Sequence, residues 1–271
     1  MSARNMCNIQ EKKKKLRALL KEMNPIIVAF SGGVDSSYLL AMAVDSIGKT
    51  NVIAVTARAP FFSPFETQHI KAIIRKTDVR HIVFDHEAMS NEIFTRNSPD
   101  RCYHCKKMIF TRIRKIADSL NIKHIVHGNN TDDLNDYRPG SRAAQELCVK
   151  EPLVLARLSK ANIINFAKEI GLSNWNQSAM ACLATRIPFH SVITEKKLIM
   201  IHQAELALFN MGFSGGRVRL SDRTARVEIR QNQLKDFLAG KLQDKLFEQL
   251  RKIGFLDMII DMKGYQENTS K

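Results

Sequence analysis

The sequence predicts an α/β protein: a doubly wound parallel sheet followed by a smaller α/β domain. Three observations predict it. Short apolar segments at 26–30, 51–56, 79–84 and 123–127 alternate with helical patterns at 36–47, 64–76 and 104–120. That order suits a parallel sheet covered by helices on both faces. A glycine- and serine-rich turn, Ser31-Gly32-Gly33-Val34-Asp35-Ser36-Ser37, joins the first strand to the first of those helices. Beyond residue 190 the rhythm changes to a long amphipathic helix and short alternating strands.

Ahead of the first strand, Ile9, Leu16, Leu19, Leu20 and Met23 mark one helical face, with Lys12-Lys13-Lys14-Lys15 as its solvated side. Ser31-Gly32-Gly33, Thr56-Ala57-Arg58 and Gly128-Asn129-Asn130 all fall just after predicted strands. In an open α/β sheet such segments converge on one crevice at the C-terminal strand ends. The domain division is placed at 188/189, giving 1–188 and 189–271. In the second part, a helix over 195–211 precedes strands at 217–220 and 225–229, helices at 231–238 and 241–252, and a strand at 255–260.

Composition bounds the rest. The 271 residues carry 42 Lys and Arg against 27 Asp and Glu, a formal charge of +15, with 44% hydrophobic residues. The charge fits nucleic-acid binding, capture of a phosphorylated small substrate, or solubility. No apolar run approaches the ~20 residues that span a bilayer, and the first residues lack the apolar core of a secretory signal. A cytoplasmic address is expected, where the five cysteines form no structural disulfides. Cys7 is expected in a loose terminus, and Cys148, between apolar neighbours, as a small buried residue.

The Ser31 to Ser37 turn contains no Gly-Lys-Ser/Thr, so it is not a Walker A loop. Two glycines permit a tight turn and close approach of a ligand, the following amides open a helix N-terminus that favours an anion, and Ser31, Ser36 and Ser37 add hydroxyls. The plainer alternative is a βα turn with Asp35 near a helix cap. In the segment 126–140, Gly128 permits close backbone approach, Asp132 is placed to hold a Mg²⁺, and Arg138 offers a fork for phosphate or carboxylate. Cys102-Tyr103-His104-Cys105 has ligand spacing, readable as a zinc half-site, a redox pair or chance. With Cys182 it makes three thiolates, enough to hold an iron–sulfur cluster with one iron open. Arg101 and Lys106 flank the pair, either lowering the thiol pKa values or as ordinary surface cations.

The S-G-G-x-D-S pattern resembles the PP-loop of ATP pyrophosphatases, which split ATP between the α- and β-phosphates. Together with R-C-Y-H-C-K (101–106), G-N-N-x-D-D-x-x-D-Y-R-P-G (128–140), C-L-A-T-R-I-P (182–188) and V-R-L…A-R-V-E-I (218–229), it resembles the LarE-type sulfur transferases. That resemblance covers nearly the whole chain. It implies an adenine nucleotide alpha-hydrolase-like fold. The implied reaction adenylates a carboxyl of a pyridinium biscarboxylic acid mononucleotide and replaces oxygen with sulfur. By resemblance, Ser31, Gly32, Gly33, Asp35, Ser36, Ser37, Thr56, Gly128, Asp132 and Arg138 would bind ATP with Mg²⁺. Arg186, Glu205, Arg217, Arg219 and Asp236 would serve the substrate. Cys102, Cys105 and Cys182 would hold a 4Fe–4S cluster, and Asp35 and Cys182 would act in catalysis, Cys182 being the thiol that a cluster-free route would sacrifice. The sulfur donor is left open, and a homo-oligomer is implied. A departure is the ending Gly264-Tyr265-Gln266, where the family often has Gly-Tyr-Arg. Two other readings stay open: a PP-loop tRNA thiolase, which the +15 charge favours, and a non-catalytic adenylate-binding protein.

Overall fold

The computed structural model describes residues 3–62, 64–135, 139–176, 182–239 and 242–265. Its elements run α1 (Ala3–Glu22), β1 (Ile26–Ala29), α2 (Val34–Ile47), β2 (Val52–Arg58), α3 (Pro64–Thr77), β3 (Arg80–Asp85), α4 (Glu92–Thr95), α5 (Arg101–Ser119) and β4 (His124–His127). They continue with α6 (Pro139–Glu146), α7 (Pro152–Leu155), α8 (Lys160–Glu169), α9 (Glu195–Asn210), β5 (Arg217–Ser221), β6 (Thr224–Glu228), α10 (Gln231–Ala239), α11 (Leu242–Ile253) and β7 (Asp257–Ile260). The chain forms two compact units. Met1–Ala59, Pro64–Ala88 and Asp100–Ala179 make the first; Pro60–Ser63, Met89–Pro99 and Met180–Lys271 make the second.

The first unit is built on a four-stranded parallel sheet of order β3-β2-β1-β4. Successive strand residues point to opposite faces, and here both faces are apolar. Ile26, Val28, Val52, Ala54 and Val126 pack with Leu16, Leu20, Leu39, Leu40 and Phe166 on one side. Ile27, Ile53, Val55 and Ile125 pack with Tyr103, Phe110 and Ile113 on the other. Strand order reverses at β1, since the chain runs outward through β2 and β3 and then returns to add β4 on the opposite side. Ala29 stands opposite His127, so the loops that follow β1 and β4 leave the sheet side by side. That is the position where open α/β sheets bind ligands.

Those two loops touch. A Cβ built on Gly128 would lie 2.8 Å from the Ser36 amide nitrogen and 3.0 Å from its Cα. The close approach expected of Gly128 is therefore an approach to the backbone of α2.

The second unit has a three-stranded sheet of order β5-β6-β7, with β5–β6 antiparallel and β6–β7 parallel. Val218, Leu220, Ala225 and Val227 are buried, as are Leu198, Ile201, Ala204 and Leu208 of α9 and Leu246 and Leu250 of α11. Residues 182–188 belong to this unit, ahead of the division expected at 188/189. Leu183 N–H donates to Phe61 O at 2.9 Å, and Asn97 Nδ2 donates to Ile187 O and Pro188 O at 3.2 and 2.7 Å.

Three smaller expectations are corrected. Thr56-Ala57-Arg58 lie within β2, because β3 extends far enough to pair Arg58 with Asp85. Cys148 is exposed, since its φ of +52° ends the turn after α6 and sends only Val149 inward. Cys7 lies in α1. Among the described residues, no helix is long and apolar enough to cross a membrane.

Gly128→Ala is expected to destabilise the protein by about 2 kcal/mol or more, because backbone rather than a flexible side chain must yield. Urea unfolding measures it, and a loss below about 0.5 kcal/mol would contradict the contact.

Candidate functional site

The two glycines of the nucleotide loop have different duties. Gly32 has φ +83°, the left-handed conformation that favours glycine, whereas Gly33 has φ −69° and stands at the start of α2. Gly33, the residue before α2, gives that helix no side-chain cap, and the amides at the positive end of its dipole favour an anion. Ser36 Oγ donates to Gly33 O at 3.0 Å and lies 3.2 Å from Ser31 Oγ. Ser31 and Gly33 are exposed.

Two expected ligand hydroxyls turn inward instead. Ser37 is fully buried and its Oγ accepts from Asn174 Nδ2 at 2.9 Å; the same amide donates to Gly32 O at 2.8 Å. Thr56 Oγ1 donates to Phe30 O at 2.8 Å, and His81 Nε2 lies 2.9 Å away. Burial holds His81 below the usual histidine range; since Thr56 gives its proton to Phe30 O, His81 Nε2 is the donor to Thr56 Oγ1. Ser37, Thr56 and Asn174 thus brace the loop from beneath.

Asp35 carries the charge of the site. Its Oδ2 meets Lys160 Nζ at 2.5 Å, while Oδ1 is buried without a hydrogen-bond partner among the described residues. Burial raises its carboxyl above the usual range, Lys160 opposes that rise, and Asp133 adds to it. The backbone of Lys160 donates to Asp132 Oδ2 at 2.9 Å, and Asn130 Oδ1 accepts from the Asp132 amide at 2.9 Å. Asp132 itself is exposed. A carboxylate oxygen left without a hydrogen bond among the described residues, near the charge of Asp133, suits a divalent cation. Arg138 lies outside the described residues.

Cys102 and Cys105 stand in the first turn of α5, three residues apart and so on one face. Cys102 is exposed; Cys105 is partly buried, with His86 Nε2 at 3.2 Å from its Sγ. Burial lowers His86 to about 4, so it is neutral. His104 turns to Asp100 at 3.0 Å. Arg101 is buried, and the stem of Lys106 lies over Gly140, where a Cβ would come within 2.4 Å. Cys182 belongs to the second unit, partly buried at the start of a turn over Leu183–Arg186. Among the described residues, no group of three or more His, Cys, Asp or Glu is gathered to hold a metal ion. The α5 pair brings two thiols together on one helix face, and Cys182 stands in the other unit.

The second unit gathers arginines on β5 and β6. Arg186, only 4% exposed, donates to Glu205 Oε1 at 2.6 Å, and Glu205 also accepts from the Val218 amide at 3.2 Å. Arg219 donates to Glu228 Oε1 at 2.5 Å and to Thr185 O at 3.2 Å; Arg226 shares Glu228 at 2.9 Å. Arg217 stacks on Tyr265, its guanidinium carbon 3.6 Å from the ring centroid, and its Nη2 donates to the Tyr265 hydroxyl. Burial, and then the charge of Arg186, lowers Arg217 to about 10, so it remains a cation at neutral pH. Asp236 stands exposed on α10.

Sequence reasoning missed Lys160, Asn174, His86 and Glu228. Only Lys160 had a local signal, following Ser159 in a capping box completed by Asn162. The others come from distant segments and become visible only through their partners.

A parallel sheet with a glycine-serine loop at its switch point defines a nucleotide-binding enzyme of the PP-loop ATP pyrophosphatase class. The NAD synthase family matches residues 8–130. The pyridinium-3,5-bisthiocarboxylic acid mononucleotide synthase of Lactiplantibacillus plantarum is 32% identical, over 96% of this chain and 94% of its own length. Accordingly, the chain belongs to the family of that synthase, the LarE-type ATP-dependent sulfurtransferases. An uncharacterized protein of Synechocystis is 32% identical over 95% of this chain and 96% of its own, and one of Methanocaldococcus jannaschii is 29% identical over 93% and 96%.

Asn174 is fully buried and cannot touch a nucleotide, yet Asn174→Ala removes a donor from both Gly32 O and Ser37 Oγ. ATP affinity is expected to fall about ten-fold, the effect of roughly 1.4 kcal/mol. Unchanged affinity by titration calorimetry would show that the brace does not hold the loop.

Proposed function

We propose that this protein adenylates a carboxylate of a pyridinium biscarboxylic acid mononucleotide and replaces one of its oxygens with sulfur. The observation that carries the reading is the 32% identity to the Lactiplantibacillus synthase across both units. The nucleotide loop and the arginine-bearing strand β5 both lie within the matched span.

In this reading a substrate carboxylate oxygen attacks the α-phosphorus of ATP and pyrophosphate leaves. The amides of Gly33 and the first turn of α2, with the exposed hydroxyl of Ser31, stabilise the leaving group as its charge develops. Asp35 and Asp132 are the residues that would hold Mg²⁺, whose charge would offset that of the phosphates, and Lys160 is the cation that pairs with Asp35. The acyl adenylate gives its carbon a good leaving group, AMP, and a sulfur nucleophile displaces it. Cys102, Cys105 and Cys182 are the residues that would hold a 4Fe–4S cluster, whose chemistry when bound is to supply a replaceable sulfide. Without it, the Cys182 thiolate would have to donate its own sulfur. Arg217 and Arg219 receive the phosphate of the mononucleotide, and Arg186 with Glu205 fixes β5 beneath them.

Incubation with ATP and the biscarboxylic mononucleotide should release AMP and pyrophosphate together with a thiocarboxylate product. ADP formation, or no product, would overturn the reading. Protein purified without oxygen should contain iron and sulfide that Cys102→Ala and Cys182→Ala both lose, and the mass of Cys182 should be unchanged after turnover. Loss of sulfur from Cys182 would replace the cluster route by the sacrificial one.

A further inference from the structure

The segment that ends the described chain reaches back to Arg217. After β7 the chain turns, Gly264 N–H donating to Asp261 O at 2.9 Å, and Tyr265 N–H then donates to Ile229 O at 2.7 Å. Tyr265 also forms an isolated parallel bridge with Arg230. The turn requires glycine: Gly264 has φ +65°, and a Cβ there would lie 2.6 Å from Ile229 O. These contacts seat a tyrosine only 8% exposed beneath the guanidinium of Arg217, with stacking on the ring and a hydrogen bond to the hydroxyl.

We propose that Tyr265 is a positioning residue that fixes the plane of the Arg217 guanidinium for the phosphate of the substrate mononucleotide, and that Gly264 exists to place it. The inference rests on the proposed function, in which Arg217 receives that phosphate. An arginine on a flexible stem loses rotamer freedom when it binds an anion; a guanidinium already clamped against an aromatic face has less to lose. Stacking leaves the edge of the guanidinium plane as the direction for bidentate hydrogen bonds to phosphate oxygens. The phenol oxygen accepts from Nη2, so the ring and the hydroxyl together set both tilt and rotation.

The test compares two probes, nicotinic acid mononucleotide and nicotinic acid riboside, which differ only in the phosphate. Wild-type protein should bind the mononucleotide more tightly, and Arg217→Ala, which leaves only Arg219 for the phosphate, should shrink that difference more than any Tyr265 variant does. Tyr265→Leu should shrink the mononucleotide-to-riboside preference about ten-fold, and Tyr265→Phe, which keeps the stack, by less. Riboside affinity should stay unchanged in both, which a merely structural role of Tyr265 would not produce. Gly264→Ala should reproduce Tyr265→Leu, and the double variant should be no worse than either alone. If Arg217→Ala collapses the preference while Tyr265→Leu leaves it intact, the positioning role is wrong and the phosphate site stands. If Arg217→Ala leaves the preference intact, the phosphate lies elsewhere and the inference fails with the site.

Discussion

The contact between Gly128 and the backbone of Ser36 is the constraint on which the nucleotide unit depends. β1 and β4 are neighbours with Ala29 opposite His127, and the segments that follow them stay in contact. One turns through Gly32 into α2; the other crosses so close to that helix that a single methyl group would collide with it. The first-turn amides of α2 and the acids Asp132 and Asp133 are thereby fixed in relation to each other by backbone. Such preorganisation is what electrostatic catalysis requires, since donors that must first move contribute less.

Charge in both units follows one rule: a buried ion is held by a partner that something else also holds. Asp35 faces Lys160, whose backbone is tied to Asp132. Arg186 faces Glu205, which is tied to the Val218 amide. Glu228 takes two arginines, and Arg219 is in turn fastened to Thr185 O. Buried pairs add little to net stability, yet removing one member leaves a costly charge behind. Their arrangement is better understood as fixing the geometry of the loop after β1 and of strands β5 and β6.

Much of the fold could be read from the chain because the parallel strands are short, apolar on both faces and separated by helices. Ile26-Ile27-Val28-Ala29 is such a strand, and the Gly-Gly turn after it has few alternatives. The candidate residues were less evenly legible. Asp35, Arg217 and Arg219 announce themselves by motif or alternation. Ser37 and Thr56 have the right chemistry for a ligand, but their hydroxyls satisfy Asn174, Phe30 and His81 instead, and no local pattern reveals which way a hydroxyl turns. Cys148 is exposed although its neighbours are apolar, since its positive φ turns it outward. Asn174 and His86 act through partners far away in sequence, so their roles appear only in three dimensions.

The central claim is that this PP-loop spends ATP to activate a carboxylate. Substrate carrying a heavy oxygen isotope in its carboxyl groups tests it most directly. Mass spectrometry of the nucleotide after turnover should find one labelled oxygen in the phosphate of AMP, passed on when the acyl adenylate is broken by sulfur. Unlabelled AMP, or label appearing in inorganic phosphate beside ADP, would contradict the account.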